Sequence, residues 1–442
     1  MRGKRFFFVM VIAAVLVIGW LFALKSASGI DEINQQNELV SQADEYLEKK
    51  LYVRGIPLLE QALTIKTKNS DVVQRKLLEA YWGYGEVDDY YALLQEMDAD
   101  DSNKKADVED YLRLTDYYQE QRKTEDALKV VIAGQKKHPD AELDALYEKL
   151  RYGYAVDISE YQQLRDTKDG GMHPAFDGKV WNYADEGGRE YLIVNAQEAV
   201  AFNEKYGVVK VDDRYHTILS NGDLYGIDET GVDEVLGLTD RFIIAKKDGM
   251  YGYYNYDFQC MSDTLQFEDI TINNDGVAAV KKDGKWGIIN DSGETVTDFI
   301  YEDVAVNSLG YAFAGGHAMV KKDGAWMLID TTGAVLSGQT FADAKAPESD
   351  EYIAVANAEG KWGFIDSEGN LVIDYQYYDA ASFSCEMAPV MVVNSWGYIS
   401  RKNNLVIDDY FESAQPFHNG YAVAHTAAGV NIIEQMYYDM EE

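Results

Sequence analysis

The chain is 442 residues long and sets 40 Lys and Arg against 76 Asp and Glu, a formal net charge of −36. That acidity excludes nucleic acid as a partner, because phosphate binding needs clustered basic side chains, and two Cys exclude a disulfide framework or a Cys-rich zinc site. An apolar fraction of 47% supports packed cores, and the length predicts two or three domains.

The charge is unevenly spread. Residues 1–30 hold Arg2, Lys4, Arg5 and Lys25 and no acid, so a +4 head precedes a body of −40. Between Phe6 and Leu24, 19 residues carry no charge. As a helix at about 1.5 Å per residue this run spans roughly 28 Å, the thickness of a bilayer's hydrocarbon core. Three positive charges before it and one after predict a cytoplasmic N-terminus and an extracytoplasmic body. A cleaved signal peptide is the competing reading, with small residues at Ser26-Ala27-Ser28. The apolar run exceeds the usual h-region of about 7–15 residues, which favours a retained signal anchor at the cell membrane.

From about 31 to 165, apolar residues recur at three and four, as on amphipathic helices. Leu39, Ala43, Tyr46 and Leu47 form one stripe, and Leu58, Leu59, Ala62 and Leu63 another. The pattern continues through Val73, Leu77, Ala80 and Tyr81, then Tyr111, Leu114 and Tyr118, then Ala127, Leu128 and Val131. Helix pairs of this length stack as a solenoid. Val108 to Pro139 resembles a tetratricopeptide repeat through Tyr111, Leu114, Tyr118, Ala127, Val131, Gly134 and Pro139. Thr115 departs from that pattern, standing where the family prefers a smaller residue. An earlier copy is visible at Leu39, Ala43, Tyr46, Gly55, Leu59 and Ala62. The resemblance implies three helix pairs with a capping helix near Ala141–Tyr152, and a groove for a protein or peptide. A plain helical bundle is the alternative. A Gly- and charge-rich stretch, Asp166–Asp177, reads as a linker.

The remainder is periodic. VKKDGKWGIINDSGETV from Val280 is echoed from Val320, Ala356 and Val392, placing Trp286, Trp326, Trp362 and Trp396 at intervals of 40, 36 and 34 residues. Tyr251 takes the same place 35 residues before Trp286. Weaker copies centre on Trp181, Tyr206 and Tyr225, and a last remnant lies at Gly429-Val430. Asp283-Gly284 and Asp323-Gly324 predict two-residue turns with positive φ. Trp286 and Ile288 point to one face of the returning strand, and Gly287, lacking a side chain, permits close approach.

This region, about 170–440, resembles the WG-repeat (KWG) family through Lys285-Trp286-Gly287, Lys361-Trp362-Gly363 and Ser395-Trp396-Gly397, with Tyr251-Gly252 in register and Met327 after Trp326 as a departure. Seven or eight units are expected to close as a β-propeller, the short last copy pairing with an N-terminal strand; an open β-solenoid array is the alternative. The expected organisation is multi-domain α + β: residues 1–30 as tail and transmembrane anchor, 31–165 as helical repeats, 166–442 as the β-repeat domain.

No catalytic constellation stands out. His138, His173, His216, His317, His418 and His425 lack zinc-site spacing, and neither a nucleophile elbow nor a P-loop occurs. Asp98-Ala-Asp100-Asp101-Ser102 with Glu109 is loosely calcium-loop-like, but Asn103 replaces the required Gly and two lysines follow, so a solvated linker is the better reading. Cys260 and Cys385 fall in separate units, too far apart to pair. The 33 Tyr and 7 Trp either fill repeat cores or, where exposed, suit sugar or peptide binding. The expectation is a non-catalytic cell-envelope scaffold for protein or peptide partners, without cofactor or metal. A cell-wall or carbohydrate-binding module and a hydrolase with a site on the β domain are the alternatives. Specificity would reside in the loops between repeats.

Overall fold

The computed structural model describes residues 30–99, 105–167, 172–203, 205–261 and 266–437. The apolar run 6–24, read above as a membrane anchor, lies outside them. Among the described residues no helix is long and apolar enough to cross a membrane. The chain divides into two compact units between Arg151 and Tyr152. The helical part is therefore shorter than the 31–165 expected. Residues 154–158 alternate with a strand's period and pair with the C-terminal strand, so they belong to the β unit.

The helical unit comprises α1 (30–47), α2 (Tyr52–Thr64), α3 (Ser70–Tyr84), α4 (Val87–Met97), α5 (Val108–Glu120), α6 (Thr124–Lys137) and α7 (Ala141–Leu150). The apolar stripes form its core: Ala43, Leu59, Ala62, Leu77, Tyr90, Tyr111, Leu114, Ala127, Val131 and Leu143 are all buried. Two glycines are close-approach points. A Cβ on Gly55 would lie 2.7 Å from Leu47, and one on Gly134 3.1 Å from both Tyr111 and Leu143. Gln36 on α1 donates to the carbonyls of Ala62 (3.0 Å) and Ile65 (2.7 Å), satisfying the end of α2. Thr115 is fully buried and turns its hydroxyl back onto the Tyr111 carbonyl at 2.8 Å.

One acid behaves differently from its reading as part of a solvated linker. Asp98 is 0% exposed. Its Oδ1 accepts from the backbone N–H of Lys105 (3.0 Å) and Ala106 (2.9 Å), and its Oδ2 meets Tyr111 OH (3.1 Å) and His138 Nε2 (2.5 Å). Asp98 thus ties the α4–α5 connection to α5 and the end of α6. Burial opposes its charge, but the bonds from Ala106, His138, Tyr111 and Lys105 prevail and hold the carboxyl below its ordinary value.

The β unit contains eight antiparallel sheets in chain order. They span 163–196, 198–227, 234–254, 269–290, 303–330, 343–377, 379–411 and 413–435, and are numbered here as blades 1 to 8. In each, a short strand is followed by a hairpin, and in blades 1, 2, 6 and 7 by a fourth strand. In blade 8 the fourth strand is Tyr154–Ile158, which pairs antiparallel with Gly429–Gln435 from Tyr154↔Gln435 to Ile158↔Asn431. Apolar clusters join each blade to the next, and one of them joins Val423, Val430 and Ile432 of blade 8 to Tyr161, Leu164, Ala175 and Ala184 of blade 1. The unit is an eight-bladed β-propeller closed by a strand from its N-terminal end. Of the proposed linker, Asp166 is buried and His173–Phe176 is a strand of blade 1.

Because the folded value of Asp98 is depressed, its contribution is present above the unfolded carboxyl value and lost as pH falls through the folded one. Asp98→Asn is expected to lower the stability of the helical unit by about 2–3 kcal/mol at neutral pH. Urea denaturation followed by circular dichroism should show that difference shrinking in acid.

Candidate functional site

The repeat motif builds the blades. In the second strand of each hairpin one residue pairs across from a fixed position: Phe176↔Trp181, Lys210↔Tyr215, Lys246↔Tyr251, Lys281↔Trp286, Lys321↔Trp326, Ala356↔Trp362, Met391↔Trp396 and His425↔Val430. Each packs in the apolar cluster leading to the following blade. Tyr251, Trp286, Trp326 and Trp362 are buried and Trp396 is half-buried. In blade 2 the position belongs to Tyr215, not to Tyr206 or Tyr225 as the weaker copies suggested. Those two rings meet at a tilt of 47°, with centroids 5.4 Å apart. Cations lie over several of these rings: Arg165 over Trp181 (4.3 Å), Lys210 over Tyr215 (4.8 Å), Lys246 over Tyr251 (4.9 Å) and Lys345 over Trp362 (4.7 Å).

The glycine after the aromatic has a separate task. In blade 6 the outer strand pairs Trp362↔Tyr377 and then Phe364↔Ile373, so it bulges over Gly363. A Cβ on Gly363 would lie 2.5 Å from the Ile373 carbonyl oxygen. Blade 7 repeats the jump over Gly397, with Trp396↔Phe411 and Tyr398↔Ile407. Over Gly287 the space is taken by Phe299 at 3.1 Å and the Thr297 carbonyl at 3.2 Å. In blade 1 Asn182 replaces the glycine, and its Oδ1 accepts from Val194 and Asn195 N–H, both at 2.9 Å, filling the bulge by hydrogen bonding. Gly252 is likewise buried. At the hairpin tips, Asp283 and Gly284 have φ of 51° and 75°, and Asp323 and Gly324 52° and 80°, the left-handed pair that such turns need.

These residues are committed mainly to cores, although Tyr251 and Gly252 also line a cleft. This cleft of about 560 Å³ opens between blades 3 and 4. Its apolar part is the half-buried rings of Phe242, Tyr253 and Phe267; its rim carries Asp240, Asp275, Asp291 and Arg241. Phe242 meets Tyr253 edge-on at 5.7 Å. Tyr253 OH donates to Asn273 (3.0 Å), whose amide donates to Asp291 (3.1 Å), fixing the polar wall. Burial pushes the Tyr253 phenol up to about 12, so it remains a donor at neutral pH. The lining contains no His or Cys, and among the described residues no group of acids, His or Cys is arranged to hold a metal ion. Cys260 and Cys385 stand in blades 3 and 7, and no disulfide joins them. The cleft can offer stacking, hydrogen bonds and a net negative rim. Sequence reasoning missed it because its walls come from strands and turns of two blades.

The helical unit offers a second surface. Trp82 on α3 carries the Arg113 guanidinium of α5 at 4.6 Å and meets Tyr117 edge-on at 5.8 Å. Arg113 also reaches both oxygens of Glu79, at 3.0 and 3.1 Å. Trp82 and Tyr117 remain half-buried, and Tyr84 is exposed beside them in sequence.

Fold and motif together define an eight-bladed β-propeller that contains WG-type repeats. Residues 251–286, 286–326, 362–394 and 396–424 match the family of the WG containing repeat, and this stretch is built from its repeats. No curated protein matches the chain. Among solved structures, a crystal structure of the eukaryotic initiation factor is similar at 14% identity and a TM-score of 0.40, covering 62% of this chain and 85% of the other. The AfRom2 CNH domain is similar at 9% identity and a TM-score of 0.36, covering 64% and 98%. YCF48 bound to D1 peptide is similar at 11% identity and a TM-score of 0.29, covering 64% and 94%.

The motif roles can be separated by stability. Trp286→Ala is expected to cost about 3–5 kcal/mol, and Gly363→Ala, which removes no contact, about 1–3 kcal/mol through the clash with the outer strand. Denaturant titration of the two variants checks both.

Proposed function

We propose that the chain is a non-catalytic scaffold that binds a protein or peptide partner in the cell envelope, held to the membrane through residues 6–24 with its body extracytoplasmic. The observation that carries the binding role is the cleft between blades 3 and 4. It combines half-buried rings, a fixed Tyr253–Asn273–Asp291 chain and three rim carboxylates against one guanidinium. Rings beside polar groups in a concave site are the usual composition of a ligand surface, and the rim favours a segment carrying Lys or Arg. The Trp82–Arg113–Tyr117 face of the helical unit is a second candidate contact surface. The non-catalytic reading rests on the sequence, which has no nucleophile, base or metal constellation to which a reaction could be assigned. The membrane and export readings rest on the uncharged 19-residue run and its flanking basic residues.

A cell-wall glycan is the second reading, favoured by the same pairing of rings with Asn273, Asn290 and Asp291 in the cleft.

In crosslinking pull-downs from intact cells, Asp240→Lys combined with Asp275→Lys is expected to reduce partner recovery about tenfold, as loss of two favourable rim charges implies. Unchanged recovery would remove the cleft from the account. Sedimentation of the whole chain with purified wall material, lost in that same variant, would favour the glycan instead. A reporter fused after residue 35 should be active outside the cytoplasm, and cytoplasmic activity would overturn the localisation.

A further inference from the structure

The middle of the propeller contains a group of titratable side chains that the binding cleft does not use. Asp166 follows the innermost strand of blade 1, Ser308 that of blade 5, Glu348 that of blade 6, and Gln415 and His418 that of blade 8. Ser308 Oγ donates to Asp166 Oδ2 at 2.6 Å. Blades 1 and 5 stand opposite each other in a ring of eight, so this bond crosses the axis. Gln415, with its amide turned to satisfy both ends, donates to both Asp166 oxygens at 2.8 Å. Among the described residues Glu348 has no such donor. Its Oε2 and the Nε2 of His418 are both buried without a hydrogen-bond partner and lie 3.7 Å apart. His173 turns Nδ1 to the Arg165 carbonyl at 2.9 Å, which accepts only, so its proton sits there and Nε2 is left as a buried lone pair. Tyr398 of blade 7, with its OH on the Gln415 carbonyl at 2.8 Å, also faces the group, and Asp185 acts on His173 from a greater distance. Among the described residues, no Lys or Arg pairs with either carboxyl.

We propose that closing the ring captures a proton at its axis, carried by Glu348 beside an Asp166 that Ser308 and Gln415 hold across the centre, so that closure of the propeller is linked to pH. Two buried carboxyls that face no cation among the described residues do not both stay charged, and among those residues only Asp166 has donors to support a charge. Burial raises Asp166 to about 6, while burial and then the Asp166 charge raise Glu348 further above its ordinary range. Burial lowers His173, and burial and then His173 lower His418 to about 4. The signs oppose. The carboxyl contributions are present below the unfolded carboxyl range and lost as pH rises through the folded values. The imidazole contributions are present above the unfolded imidazole value and lost as pH falls through the folded ones. Between about pH 4 and about pH 6 they offset, so the intact protein conceals the linkage and single substitutions reveal it.

The test is the folding equilibrium constant of the purified full chain and its variants from about pH 4 to about pH 8, each divided by the unsubstituted value. For Asp166→Asn this ratio should grow roughly tenfold or more as pH rises, and for Glu348→Gln it should likewise grow as pH rises above the unfolded carboxyl range. For His418→Gln it should change in the opposite sense. The slope of each ratio is independent of any constant packing loss. Infrared difference spectra of the native chain supply a measurement that needs no unfolding: a protonated-carboxyl band should persist at neutral pH and vanish in Glu348→Gln. Ratios that stay flat with pH, or no such band, would overturn the proposal.

Discussion

The propeller depends on one ladder, the antiparallel pairing of Tyr154–Ile158 with Gly429–Gln435. Every other blade is a local meander that its own segment can complete. Blade 8 cannot, since its fourth strand comes from more than 250 residues earlier in the chain. With that strand in place, the cluster of Val423, Val430 and Ile432 can meet Tyr161, Leu164 and Ala175 of blade 1, and no blade is left with an open apolar face. Closing a loop of this length costs conformational entropy, but the cost grows only slowly with length. It is offset once the last two interblade faces are buried together.

Within that ring the repeat solves the same packing problem eight times with unequal means. The aromatic fills the space toward the next blade; the residue after it decides how the outer strand crosses. Gly363 leaves room for backbone, whereas Asn182 fills the same room with an amide oxygen that satisfies two N–H groups. Both serve because the requirement is a satisfied bulge, not a particular side chain. Since these positions are occupied by packing, the turns between strands are free to vary, and such turns supply much of the cleft between blades 3 and 4.

Much of this was legible in the sequence. The spacing of Trp286, Trp326, Trp362 and Trp396 and the Asp-Gly pairs report local, period-two geometry, and the helical stripes report a period near 3.6. What escaped were contacts between distant residues. Tyr215 lies 34 residues after Trp181 and 36 before Tyr251, but it is flanked by His216 and an Asp-Asp turn, so its likeness to Trp-Gly is weak. Residues 154–158 are too short to announce a strand until their partner is known. Asp98 reads as part of a solvated linker and Asp166 as the start of another linker, because charge predicts exposure. Both are buried by donors that the chain supplies from 40 residues away in His138 and 142 away in Ser308. Periodicity exposes the scaffold, while the polar groups held inside it are placed by topology.

Ring closure is most directly tested by a cross-link. Ala155 and Glu434 are direct partners in the closing ladder, within the reach of a disulfide for an antiparallel pair. With Cys260 and Cys385 changed to Ser, the chain carrying Ala155→Cys and Glu434→Cys should oxidise to an intramolecular disulfide in near-complete yield and gain stability by about 2–4 kcal/mol. Failure to cross-link within one chain, or cross-links formed only between chains, would contradict a propeller closed by its own N-terminal strand.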